Sequence, residues 1–200
     1  MNRKGVRQIA VILLLALLCT CIPLSALASH SGYAVYRDKD VPWDVGHAGV
    51  VKNGRASQPT ADDVIHILQN GGVMSVSFDE FYDPPSIQME YYGEFYDPDF
   101  STSIYTNIRA TAIQLTEMNI TYSTIQLMTL NSTPVGSVIL PENIAKMRCD
   151  GVTEYCFEKN GIRLQGNGQF WNISNPSHFP YHHSITYTPL KQKNLLTLAP

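Results

Sequence analysis

Two cysteines stand seven residues apart in MRCDGVTEYC, residues 147–156. A thiol can act as a nucleophile, pair in a disulfide or pack as a small apolar group. If residues 149–159 form a helix, Cys149 and Cys156 share a face two turns apart. Their Cα atoms are then roughly 10 Å from each other, beyond the reach of a disulfide. Cys149 would open that helix, where unpaired N–H groups and the helix dipole favour a thiolate. Gly151 follows it and leaves room for another backbone or a substrate to approach. Cys156 falls in the helix interior beside Val152 and Tyr155 and reads as core.

A thiolate nucleophile needs a base, and the base needs a partner to orient it. Of the six histidines, His30 is expected to be disordered near the chain start. His178, His182 and His183 sit in a tail rich in proline and aromatic residues. They lack the companion Cys or Glu spacing of a metal site, so no metal and no cofactor are expected. His47 and His66 each interrupt a short apolar run. Either one alone reads more readily as a satisfied core histidine. Two on neighbouring strands read as a base and its orienting partner.

The elements that must position these groups follow from periodicity and turn signals. Gly32–Tyr36 and Val45–Val51 read as strands. Val64–Leu68 and Val73–Phe78 form a hairpin about Gln69-Asn70-Gly71-Gly72. Together they predict an antiparallel meander carrying both histidines. Phe-Tyr-Asp-Pro occurs at 81–84 and again at 95–98. The segment between reads as two similar turns, with an aromatic loop bordering a substrate groove as the other reading. A helix is predicted over 103–118, with Ile108, Ala112 and Leu115 on one face. A second covers 149–159 and stops at Asn160-Gly161. Ser184–Thr188 reads as a last strand. The expectation is one α+β domain over residues 29–200.

The chain start has the parts of a secretory signal: Arg3, Lys4 and Arg7, an apolar run from Ile9 to Cys19, and Ala26-Leu27-Ala28 as the cleavage site. The apolar run is short for a membrane span. Lipidation at Cys19 or Cys21 is disfavoured because Leu18 and Thr20 precede them. Cleavage after Ala28 removes 28 of the 200 residues and leaves 172. It also removes three of 14 basic side chains and none of 17 acidic ones, so the formal charge becomes −6. That argues against a nucleic-acid partner, which needs a basic footprint. It leaves no polybasic patch for lipid, and no stable membrane insertion is expected after cleavage. The expected location is secreted or extracytoplasmic. Two remaining cysteines do not make a disulfide-stapled miniprotein.

Residues 147–162, from Met147-Arg148-Cys149-Asp150-Gly151 to Asn160-Gly161-Ile162, resemble the nucleophile helix of NlpC-type cell-wall peptidases. Gly46-His47-Ala48-Gly49-Val50-Val51 is similar to the strand that supplies that family's base. Val64-Ile65-His66 resembles the strand whose polar residue orients the base. Here the cysteine helix follows the histidine strands, the order of the circularly permuted branch of the papain-like superfamily. The resemblance covers most of the chain after residue 28 in order, and three short motifs in detail. Between His47 and His66 the polar stretch 53–63 replaces the family's usual tight hairpin.

The resemblance implies a papain-like α+β fold in permuted order, its β-meander packed against a nucleophile-bearing helix. It implies acyl transfer by a cysteine amidase or peptidase. Cys149 would attack an amide carbonyl, His47 would take and return the proton, and His66 would orient His47. Backbone N–H groups at the helix start would form part of an oxyanion hole. Tyr36, Trp43 and Gly151 are the candidate substrate-binding residues. The implied substrate is a peptide or other amide, with peptidoglycan peptide favoured. Two alternatives stay open: an acyltransferase or lipid amidase on the same fold, and a catalytically silent binding protein.

Overall fold

The computed structural model describes residues 30–37, 46–54, 62–82, 91–131, 139–164 and 188–199. The predicted signal segment, Trp43, the histidine tail and residues 184–187 of the predicted last strand lie outside them. Among the described residues no helix is long and apolar enough to cross a membrane.

The meander is present. Strands β1 (Ala34–Arg37), β2 (His47–Val51), β3 (Val64–Ile67) and β4 (Val73–Val76) follow one another across a sheet. Beyond β1 the sheet continues with β5 (Tyr91–Tyr96) and β9 (Thr197–Leu198), giving the order β4-β3-β2-β1-β5-β9. Every neighbouring pair in it is antiparallel. The protein is mixed α+β.

Successive side chains on a strand point to opposite faces, and here both faces are covered. Ala34, Tyr36, Ala48, Val50, Ile65 and Ile67 belong to the main core. They meet helices α2 (Thr102–Thr116) and α3 (Cys149–Lys159), which contribute Ile108, Ala112, Leu115, Val152, Tyr155 and Phe157. Val35, Val51, Val64 and Val76 face the other way, onto Phe78 and Phe81 of the short helix α1 (Phe78–Tyr82). A Cβ on Gly49 would come 2.9 Å from the Ile65 carbonyl and 3.3 Å from the Phe81 ring, so α1 closes tightly over that face.

A second sheet, β6 (Thr121–Tyr122), β8 (Ile144–Met147) and β7 (Met128–Leu130), lies in that order. Strand β8 delivers the chain directly into α3. That helix ends as predicted: Gly161 has φ +88°, and Ile162 N–H bonds to the Phe157 carbonyl at 3.0 Å. Gly161 N–H bonds to the Glu158 carbonyl, also at 3.0 Å, which completes a Schellman stop. Asn160 Nδ2 donates to Thr111 Oγ1 at 3.0 Å and ties α3 to α2.

One expectation is corrected, and another falls partly outside the described residues. The Phe-Tyr halves of the two Phe-Tyr-Asp-Pro copies differ, since Phe81-Tyr82 ends a helix and Phe95-Tyr96 ends a strand. The second copy runs on into a turn closed by Phe100 N–H on the Asp97 carbonyl, and Asp83-Pro84 of the first lies outside the described residues. His30 is anchored by a bond to Glu94, with its ring stacked on Tyr33 at 5.0 Å. Glu94 lies on β5, a strand that the patterns above do not mark.

Candidate functional site

Cys149 is the first residue of α3 and is 5 % exposed. The residue before it is held to the loop that leads into β7. Arg148 N–H bonds to the Leu127 carbonyl and its Nη1 to the Ile125 carbonyl, each at 3.0 Å. Its guanidinium also makes a two-point pair with Asp150, at 2.9 Å and 2.6 Å. Burial pushes the Asp150 carboxyl up, and Arg148 pulls against that shift. Burial works against the Arg148 charge too, but bonding and charge from Asp150, with a smaller part from Cys149, hold it above its ordinary value. Gly151 is needed by the protein itself, since a Cβ there would come 2.2 Å from the Leu127 carbonyl oxygen. Of the two approaches the sequence left open, the neighbouring backbone fills the space.

Tyr36 is fully buried on the α3 face of β1. Its hydroxyl donates to Gln192 Oε1 at 3.0 Å. Gln192 lies in α4 (Pro189–Lys193) and donates from Nε2 to the Asp150 carbonyl at 3.1 Å and to Glu154 Oε2 at 2.8 Å. Burial, then the charges of Glu154, Asp150 and Cys149, push the Tyr36 phenol well above its ordinary value. Tyr36 therefore sits beside Cys149 as an internal hydrogen-bonding group.

His47 and His66 are brought together. His47 Nε2 lies 2.9 Å from His66 Nδ1, with the rings perpendicular. Both are buried, at 8 % and 2 % exposure. Burial drives His47 well below its ordinary value, with the His66 and Arg37 charges adding to the shift. Burial and Arg37 bring His66 down to about 4. Both rings are thus neutral near pH 7, and one proton serves the bond between them. His66 Nε2 is buried with no hydrogen-bond partner among the described residues.

The pair faces α1. Each ring centroid lies 5.5 Å from that of Phe81, and Arg37, the strand partner of His47, places its guanidinium over the same ring. Cys149 belongs to the core on the other face. The structure therefore joins the two histidines and sets Cys149 across the sheet from them, at the same end of β2. Thr153, one turn along α3, reaches the Gly49 carbonyl of that strand at 3.3 Å.

Cys156 is fully buried, and burial pushes its thiol far up. Neither Cys149 nor Cys156 is joined in a disulfide among the described residues. An open groove of about 520 Å³ is lined by Asn107, Thr111, Gln114 and Asn160. It lies at the C-terminal end of α3, away from Cys149, and holds none of the candidate residues. Arg148 and Gln192 were missed from sequence. Arg148 had a local signal, because a base and an acid flank the cysteine. Gln192 had none, its partners being 38, 42 and 156 residues away. Comparisons with family models, with curated proteins and with solved structures found no match to this chain.

Proposed function

We propose that the protein is an exported cysteine amidase or peptidase of the permuted papain-like type, acting on cell-wall peptide. The observation that carries this reading is the placement of Cys149 at the start of a helix laid along the strand that opens with His47. The chain order supports it, with the meander first and the cysteine helix after. The thiolate of Cys149 attacks the amide carbonyl, and the C–N bond breaks as the leaving amine takes a proton from the His47 imidazolium. Water then hydrolyses the thioester and releases the acid. For His47 to receive the thiol proton, the first residue of β2 must turn its ring round the strand end toward α3.

The sheet between the histidines and Cys149 favours a second reading, a catalytically silent binding protein on the same fold. One experiment separates them: thiol-probe labelling of native protein together with hydrolysis of peptidoglycan peptides. The amidase reading expects both to vanish in Cys149→Ala, to persist in Cys156→Ala and to fall in His47→Asn. Equal labelling of the two cysteines, or no hydrolysis by wild type, overturns it and leaves the silent reading.

A further inference from the structure

Gln192 is a neutral amide, and it is fully buried. Burial of an amide costs free energy unless its donors and acceptor are used. Both functions of this one are used. Oε1 accepts from Tyr36, and Nε2 donates to the Asp150 carbonyl and to the Glu154 carboxylate. One side chain therefore joins β1, α4 and the first two turns of α3. Helix α4 is itself pinned, with Pro189 in its first turn and Thr188 Oγ1 accepting from Lys191 N–H at 3.3 Å.

Cys149 is the single residue between two anchored neighbours. Arg148 is held by the Ile125 and Leu127 carbonyls, and Asp150 is held by Arg148 and, through its own carbonyl, by Gln192. The orientation of the first N–H groups of α3 around the sulfur depends on both anchors. Only the second comes from the far end of the chain.

We infer that Gln192 is a positioning residue for Cys149, through which the C-terminal helix α4 sets how readily that thiol ionises and reacts. Its catalytic consequence rests on the amidase reading above. Tyr36 acts through Gln192 and contributes a smaller share, since its hydroxyl orients the amide without touching Asp150.

The test is the rate of iodoacetamide alkylation of Cys149 against pH in the full chain, followed by mass spectrometry beside thermal melts. Gln192→Met keeps most of the volume and removes every hydrogen bond. It is expected to move the midpoint of the Cys149 profile by at least about half a pH unit, or to lower the plateau rate several-fold. Tyr36→Phe should shift it in the same direction by less. A folded Gln192→Met with a lower melting temperature and an unmoved profile overturns the inference and leaves the amidase reading intact. If Gln192→Met does not fold, Tyr36→Phe decides, and a profile identical to wild type overturns the inference. A wild-type Cys149 that resists alkylation when folded overturns both.

Discussion

His47 and His66 form a buried, mutually hydrogen-bonded pair, Nε2 to Nδ1 at 2.9 Å, on the face of the sheet away from Cys149. An exposed pair of this kind would be a surface feature of little consequence. Buried beneath Phe81 and beside Arg37, it holds two imidazoles neutral at a cost that depends on pH.

That cost has a defined sign. Both folded values lie below the ordinary 6.5, so the unfolded chain binds protons that the folded one refuses. Stability is fully present above about pH 6.5 and is lost as pH falls toward about 4, where His66 itself protonates. The slope approaches about 1.4 kcal/mol per pH unit for each histidine inside that window. His66→Gln is expected to flatten the curve of urea-unfolding free energy against pH. Parallel curves for mutant and wild type would refute it.

Glu158 behaves in the opposite sense. Burial and then the neighbouring Glu154 charge push it up to about 9, against a pull from Arg163. Between about 4.5 and 9 the folded state keeps a proton that the unfolded state gives up, so stability falls as pH rises. Glu158→Gln copies the protonated form and retains an oxygen for the Leu164 N–H. Melting temperatures at pH 6 and 8.5 should converge in the mutant. A mutant less stable than wild type at pH 8.5 would contradict this.

Gly151 and Gly161 make a graded pair. Gly151→Ala drives a methyl into the Leu127 carbonyl and is expected to cost about 2 kcal/mol or more. Gly161 has open space around it and only its φ of +88° to lose, so Gly161→Ala should cost about 1 kcal/mol. Chemical denaturation of the two variants checks the order, and a reversed order would count against the packing of α3 on the β7 loop.

Cys156 should stay unlabelled by thiol reagents until the protein unfolds, because burial leaves it protonated and covered. Its labelling rate in rising urea should follow the unfolding curve. Cys156→Ala, which removes only the sulfur, should still fold and melt a few degrees below wild type. Prompt labelling in the native state would place this thiol outside the core.

Much of this was legible in the sequence. Helix α3 runs over Cys149–Lys159 as its spacing and its Asn-Gly stop predict, three of the meander strands fall within the stretches their patterns mark, and β1 overruns its stretch by one residue, Arg37. The adjacency of His47 and His66 followed from neighbouring strands. Local chemistry decides such things, since turn residues, helix stops and a period of two or 3.6 act over a few residues.

Alternation also determines that His47 shares a face with Gly49, and His66 with Val64. It does not say which face α3 will cover. Both faces of His-Ala-Gly-Val-Val and Val-Ile-His-Ile are apolar enough to be buried, and both are. The choice was made by non-local packing, with α1 closing over Gly49 and α3 over Ala48 and Val50. The clamp at Cys149 is of the same kind. Arg148 and Asp150 stand side by side in the sequence, but Gln192 reaches Asp150 only because folding brings residues 42 positions apart into one buried network.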